Sequence, residues 1–290
     1  MLKLLRLLVK LPKVSIVTDS TCDIPEELAK ELGIIIVPLK VYMDEEEFTA
    51  GVNLNSEEFY RKMPDLKETP STEPPSTLDF YQAYEDAAYD SNSILSIHIS
   101  SLMSETIKSA ENAKMMLPII DIRIYDSKTT GASLGLIVLE AAWAANQGKE
   151  IEEIAQIVEY AIEKVKVIGY PSTLKYLIKG GRIGRARGLV GNLLNRIPIL
   201  TVQEGETSSI TTVQGREKAI EWMIDYLKKV GLTNTSIIAL THGDVPEEAA
   251  VLSMKIESEF GCTSQFIELI GPVVGSHLGP GSIYFSYLIK

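Results

Sequence analysis

Residues 14–41 read VSIVTDSTCDIPEELAKELGIIIVPLKV, and this stretch decides the fold. Val14–Thr18 is a short apolar run of the kind that forms a buried strand. Asp19–Asp23 is a turn of small polar residues. Pro25 then opens a helix, because its fixed φ suits the first turn, and Glu26 and Glu27 favour the positive end of the helix dipole. The apolar run Ile34–Val41 is a second strand, in which Pro38 withholds a ladder donor and predicts an edge or a bulge. Strand, helix and strand in such close succession make a parallel crossover unit.

The same rhythm continues outward. Asn55, with Glu58 three residues on, predicts a capped helix through Met63. Pro64–Pro75 reads as a loop and Thr77–Tyr89 as a helix. Ser93–Ile99 and Ile119–Tyr125 are buried parallel strands flanking a helix over Met103–Met116. Ala132–Asn146 and Ile151–Val165 are helices hinged at Gly148. Strands separated by helices of this length predict a parallel sheet covered on both faces. After Val165 the pattern changes. A strand at Val167–Tyr170 and a Gly- and Arg-rich stretch precede a hairpin, Ile197–Val202 with Ser208–Val213, around Glu204-Gly205. Helix 216–229, strand 236–241, helix 246–259, strand 263–270 and strand 282–288 follow. The expectation is an α/β protein of two domains: an N-terminal parallel domain, 14–165, and a C-terminal mixed α/β domain, 166–290, with ligand between them.

The 290 residues are 45% hydrophobic and 23% charged, enough for a full core without disulfides or metals. A formal net charge of -11 repels phosphates and argues against nucleic acid. Cys22 and Cys262 are isolated, which fits a reducing cytoplasm and no metal site. The first thirteen residues, MLKLLRLLVKLPK, read as an N-terminal extension, either an upstream start or an added first strand. The other reading is a basic amphipathic helix making transient membrane contact. The segment lacks the apolar run and cleavage site of a secretory signal, and it is too short and too charged to span a bilayer.

Three loops after strands carry small hydroxyls: TDSTCDIP (18–25), PSTEPPST (70–77) and SSLMSET (100–106). In open α/β sheets, ligands bind beyond the carboxyl ends of the strands. One such hydroxyl is ordinarily an N-cap; three loops on one sheet edge point to a site. GPVVGSHLGPGS (271–282), with four glycines and two prolines around His277, reads as a loop able to fold tightly around a ligand. From Lys164 to Arg196 the chain carries Lys175, Lys179, Arg182, Arg185 and Arg187 among others, with no acid between Glu163 and Glu204. That suits an anionic partner, or else a solvated face balanced by acids elsewhere. Phosphate-loop, dinucleotide, zinc and nucleophile-elbow motifs are absent. A Ser104–His277 pair would serve a hydrolase or acyltransferase, with Ser104 as nucleophile and His277 as base. That requires a hydrogen bond of about 3 Å between them and a carboxylate behind the imidazole. A third reading is a phosphate-ligand protein using the basic loop 179–188, whose binding would depend strongly on salt.

Taken in order, TDSTCDIP, the ST-x-PPS loop, SS-x-x-S-x-T, YDSKTTGASLG (125–135), LIKGGRI (177–183), VGNLLN (190–195) and GPVVGSHLGPG (271–281) resemble the DegV family over residues 14–289. The resemblance implies the two-domain DegV fold and a bound long-chain fatty acid, with no cofactor, no metal and no chemistry of the chain's own. It also implies a bacterial partner, a separate ATP-binding fatty acid kinase subunit that phosphorylates the presented carboxylate for phospholipid synthesis. Position by position, Thr72, Ser104 and His277 match the family's carboxylate-binding residues, with Ser71, Ser101 and Arg216 as head-group neighbours. Arg182 matches an arginine linked to kinase docking. The chain departs from the pattern at Glu105, where glycine is usual, at Gln214, where arginine is usual, and in TEPPS for TSQPS.

Overall fold

The computed structural model describes residues 14–189, 191 and 196–290. The 1–13 extension and most of the VGNLLN motif lie outside the described residues.

The opening unit forms as its residue pattern demands. β1 (Val14–Asp19) is buried along its whole length, since both faces of a central parallel strand are covered. The chain turns through a short 3₁₀ segment, Ser20–Cys22, into helix α1 (Glu26–Leu32), which Gly33 closes in the left-handed conformation at φ 67°. Pro38 does more than interrupt a strand. β2 (Ile35–Val37) pairs with β1, while β3 (Lys40–Met43) leaves for a different sheet.

The first sheet contains β2, β1, β6 (Ser93–His98) and β7 (Asp121–Asp126), in the order β2-β1-β6-β7 and all parallel. Helices α3 (Thr77–Asp90) and α4 (Thr106–Met116) cover one face through Phe80, Tyr84, Ala110 and Ala113. α5 (Ala132–Asn146) and α6 (Ile151–Lys164) cover the other. This is the expected parallel sheet with helices on both faces. α5 is apolar almost all round because it is sandwiched: its core joins Val14 and Ile97 of the first sheet to Ile237, Ala239 and Leu288 of a mixed sheet in the C-terminal half.

A small antiparallel sheet was not foreseen. β3 pairs with β4 (Glu46–Thr49) on one side and β5 (Ser71–Glu73) on the other. β5 falls inside the stretch 64–75 read as a loop. It is three residues long between prolines and exists through its pairing with β3, a long-range contact that local propensity does not register. The Asn55 cap is as expected: its Oδ1 accepts from Glu58 N–H at 2.8 Å and starts α2 (Ser56–Lys62).

The third sheet is mixed. It holds β8 (Lys166–Tyr170), β9 (Ile197–Gln203), β10 (Glu206–Val213), β11 (Ile237–His242), β12 (Ile267–Leu269) and β13 (Ile283–Leu288), in the order β10-β9-β8-β13-β11-β12. Only β11–β12 is parallel. The β9–β10 hairpin turns at Glu204-Gly205, both at positive φ. α7 (Lys175–Lys179), α8 (Arg216–Val230) and α9 (Pro246–Phe260) complete this half.

The second correction is α10 (Pro272–Leu278), in the segment read as a glycine-rich loop. Pro272 occupies the first turn, where its missing N–H costs nothing. Gly275, mid-helix, is there for space: a Cβ would sit 2.8 Å from Phe59 Cε1 and 2.9 Å from the Tyr60 hydroxyl. The glycine lets α10 press onto α2 and holds His277 where it is. Gly275→Ala is expected to lower the stability measured in urea by about 1–3 kcal/mol through overpacking. Gly188→Ala, at a position with nothing within 4 Å, serves as the control and should shift the midpoint little.

Candidate functional site

The three sheets enclose a cavity at the carboxyl ends of β1 and β6, the position expected for a ligand in an open α/β sheet. It holds about 710 Å³ of atom-free space, part of it open to solvent. The first sheet contributes Thr21, Ile99, Met103, Ser104 and Thr130, and the small sheet Leu39, Thr72 and Pro74. The mixed sheet and its helices contribute Leu200, Val202, Val274, Leu278 and Tyr284, together with His277 and Arg182. Residues more than two hundred positions apart therefore meet at one wall.

Thr72 reaches the cavity because β5 alternates: Ser71 and Glu73 face solvent, while Thr72 turns inward. Its Oγ1 lies 2.9 Å from His277 Nε2. His277 is partly exposed along the ring, but its Nδ1 is buried and has no hydrogen-bond partner among the described residues. Gly180 makes room for this ring, since a Cβ there would overlap Nδ1. Burial, and then the nearby charge of Arg182, push the imidazole down to about 4, so it is neutral at pH 7. Ser104 Oγ lies 2.8 Å from Thr106 Oγ1 at the start of α4. Arg182 donates from Nε to the Met103 carbonyl at 3.0 Å and from an Nη to the Gly180 carbonyl at 2.6 Å. No carboxylate pairs with it among the described residues. The site thus gathers hydroxyls, a neutral imidazole and one cation around an apolar interior, a set that favours a ligand with an anionic head and an apolar body.

Not every expected residue is there. Ser71 points to solvent. Ser101 is exposed and donates to Asp126 Oδ2 at 2.6 Å. Arg216 holds Glu248 through Nε and an Nη, at 2.8 and 2.6 Å, and sits 5.1 Å over the Tyr170 ring. These three lie away from the cavity lining because a strand's alternation, a turn and an ion pair direct them elsewhere. Glu105 also turns out, its carboxylate 3.5 Å from Lys108 Nζ, and Gln214 is exposed. Neither departure from the family pattern lines the cavity. The basic stretch is partly neutralised: Arg185 pairs with Glu204 at 2.7 Å and Glu206 at 3.1 Å across the hairpin.

Sequence reading missed Thr21 and Thr130. Thr21 donates to Asp19 Oδ1 at 2.6 Å, and Thr130 Oγ1 is buried without a partner among the described residues. Both stand in hydroxyl-rich turns, TDSTCDIP and YDSKTTG, which is the signal that would have found them.

Among the described residues, Ser104 makes no hydrogen bond to His277, and no acid stands behind the imidazole. The described Ser-His-Asp chain is a different one: Asp19 Oδ2 lies 3.0 Å from His98 Nδ1, His98 Nε2 lies 2.6 Å from Ser96 Oγ, and Ser96 Oγ lies 2.9 Å from the Tyr84 hydroxyl. Ser96, His98 and Asp19 are 0% exposed, so this chain is a buried scaffold and its serine meets no substrate. Among the described residues, no group of His, Cys, Asp and Glu is placed to hold a metal ion, and no helix is long and apolar enough to cross a membrane.

The family described as "Uncharacterised protein, DegV family" matches residues 13–290. A DegV domain-containing protein of Caldanaerobacter subterraneus is 35% identical over 269 residues, covering 92% of this chain and 96% of the relative. Among solved structures, a DegV family protein from Thermus thermophilus, described for its fatty acid binding, superposes with a TM-score of 0.89 at 28% identity, covering 96% of this chain and 100% of the other. DegV from Bacillus subtilis, described as a fatty acid binding protein, gives 0.87 at 29% identity, with 96% and 99% covered. The matched family spans both the parallel and the mixed sheets and every wall of the cavity. The chain belongs to the DegV family.

Proposed function

We propose that the protein is a carrier that encloses one long-chain fatty acid between its two halves, 14–165 and 166–290, and carries out no chemistry of its own. The observation that carries the reading is the cavity itself: apolar walls end at Thr72, Ser104 and His277, in a fold shared with solved fatty-acid-binding relatives. The energetics divide between the two ends. Each buried methylene contributes about 0.8 kcal/mol before the costs of association. A buried carboxylate without hydrogen bonds would be costly, so the head group needs dedicated donors. In this reading Ser104, Thr130 and the His277 imidazole supply them, Thr72 orients the imidazole, and Arg182 provides the nearest positive charge.

The second part of the proposal is presentation. The carboxylate is offered at the cavity mouth to a separate ATP-binding kinase subunit of a bacterial cytoplasm, which phosphorylates it for phospholipid synthesis. Arg182 and the basic loop around it form the docking side. The family resemblance supports this part, as does a guanidinium held at the cavity by two backbone carbonyls.

The test is native mass spectrometry of the purified chain, followed by titration with palmitate and oleate. A fatty-acid mass that is carried along or taken up is the expected result; an empty protein that binds neither acid removes the proposal. Ser104→Ala is expected to weaken binding about tenfold, the loss of one hydrogen bond to a charged group. Its Tm should fall by a few degrees at most, since the serine Oγ meets both the hydroxyl and the N–H of Thr106 at the start of α4. An unchanged Kd would take Ser104 out of the head-group site. Arg182→Ala should lower phosphoryl transfer by the kinase far more than it lowers lipid affinity, and equal loss of both would sink the docking role.

His277 gives a pH signature in the lipid-free protein. Its imidazole titrates near the usual 6.5 when unfolded and at about 4 when folded. The unfolded state therefore binds the proton first as pH falls. The stability tied to the neutral ring is complete above about 6.5, declines between 6.5 and 4, and levels off below that. The total is roughly 3 kcal/mol. His277→Gln, measured by urea denaturation from pH 7 to pH 4, should lose this part of the acid slope. An identical slope in both proteins would mean that the folded imidazole is not held neutral.

A further inference from the structure

β13 sends Ile283 and Phe285 into the core beneath α8 and α9, and sends Tyr284 to the cavity side. Tyr284 is only 9% exposed, and its hydroxyl is buried with no hydrogen-bond partner among the described residues. The ring is fixed in place. It lies across the backbone of Gly169, its neighbour on β8, where a Cβ would come within 2.6 Å of Cγ. Leu39, Leu200 and Val274 line the same space and offer the hydroxyl nothing.

A buried hydroxyl left unpaired is a standing cost that an isosteric phenylalanine would not carry. The cavity's other orphan atoms, His277 Nδ1 and Thr130 Oγ1, stand with the head-group donors, where a carboxylate answers them. Tyr284 makes no hydrogen bond to that group, and a plain alkyl chain cannot satisfy it. We propose that the cavity takes an oxygenated long-chain acid, whose hydroxyl or keto oxygen along the chain is held by Tyr284 Oη, which makes Tyr284 a specificity-determining residue. The inference rests on the fatty-acid reading and narrows the ligand from any long-chain acid to one with a second polar point. The interaction is ordinary non-covalent recognition: a site built to hydrogen-bond a ligand oxygen discriminates against the analogue lacking it, because its own polar group is then left unpaired.

The experiment uses the full chain, freed of copurified lipid, and measures Kd for palmitate and for a positional series of monohydroxypalmitates on the wild type and on Tyr284→Phe. One positional isomer should bind the wild type about tenfold tighter than palmitate. Tyr284→Phe should erase that preference, bringing the ratio of the two dissociation constants to about one. The proposal is overturned if no isomer surpasses palmitate on the wild type, or if the preference survives in the phenylalanine variant. Should the variant fail to fold, the positional series on the wild type still decides, because a preference confined to one position requires a fixed partner within the cavity. Binding of palmitate without any preference removes this inference alone. Failure of every acid, palmitate included, removes the fatty-acid reading and this inference with it.

Discussion

The rest of the site hangs on the buried carboxylate of Asp19. It stands at the carboxyl end of β1 with no exposed surface, and four groups converge on it: Thr21 N–H and hydroxyl on Oδ1, Ile99 N–H and His98 Nδ1 on Oδ2. A buried carboxylate is tolerated only when its lone pairs are used, and here they are used to lock the ends of β1 and β6 together. The turn that follows extends the lock. Ser20 Oγ accepts from Leu39 N–H at 2.9 Å, the Thr21 carbonyl accepts from Gly131 N–H at 2.8 Å, and Asp23 Oδ1 accepts from Gly271 N–H at 3.0 Å. One short turn thereby sets the positions of β3, α5 and α10, the elements that frame Thr72, Thr130 and His277. Burial pushes the Asp23 carboxyl up to about 8, so at neutral pH this tie is held largely by an uncharged acid.

The electrostatics of the cavity follow from that frame. A protein of net charge -11 offers no general attraction to an acid, so any anionic head group depends on local donors. A neutral imidazole meets that need. It can pass one N–H to a ligand while its other nitrogen meets Thr72, and it brings no buried charge when the site is empty. The one cation in the lining, Arg182, is satisfied by two backbone carbonyls rather than by an acid, so its charge remains uncancelled by any local carboxylate among the described residues. The opposite pattern holds at Arg216, where Glu248 consumes the charge. The difference leaves the Arg182 guanidinium able to meet an anion and the Arg216 guanidinium already engaged.

Much of this was legible in the sequence, for identifiable reasons. The strand–helix–strand crossover, the Asn55 cap and the Glu204-Gly205 hairpin are local signals and appear where the residues put them, except that the strand read as Ile34–Val41 ends at Val37 and resumes at Lys40 in another sheet. Thr72, Ser104 and His277 came from motif matching and line one cavity. What failed to show was non-local. β5 depends on its pairing with β3, and within α10 Gly275 gives up helix propensity for close contact with Phe59 and Tyr60. Ser71 and Ser101 were indistinguishable by composition from Thr72 and Ser104. Strand parity separates the first pair, and the Asp126 contact separates the second. Thr21 and Thr130 stand in hydroxyl-rich turns that the sequence displays, but which hydroxyl of each turn faces the cavity is set by the backbone of the turn and not by composition.

The placement of polarity also explains why a rigid frame and an adaptable interior coexist. The polar groups at the strand ends are held by backbone and by one another, as at Asp19, Arg182 and the Thr72–His277 pair, so an anionic head group would meet one geometry whatever body it carried. The apolar lining is mostly Leu and Val, whose contacts are non-directional and would tolerate changes of ligand length at a modest cost. Such a division predicts affinity that rises with apolar length and orientation that does not change with it. A directional group inside the apolar half would be the exception, because one fixed hydroxyl there would make a tolerant cavity measure distance from the ligand's head group.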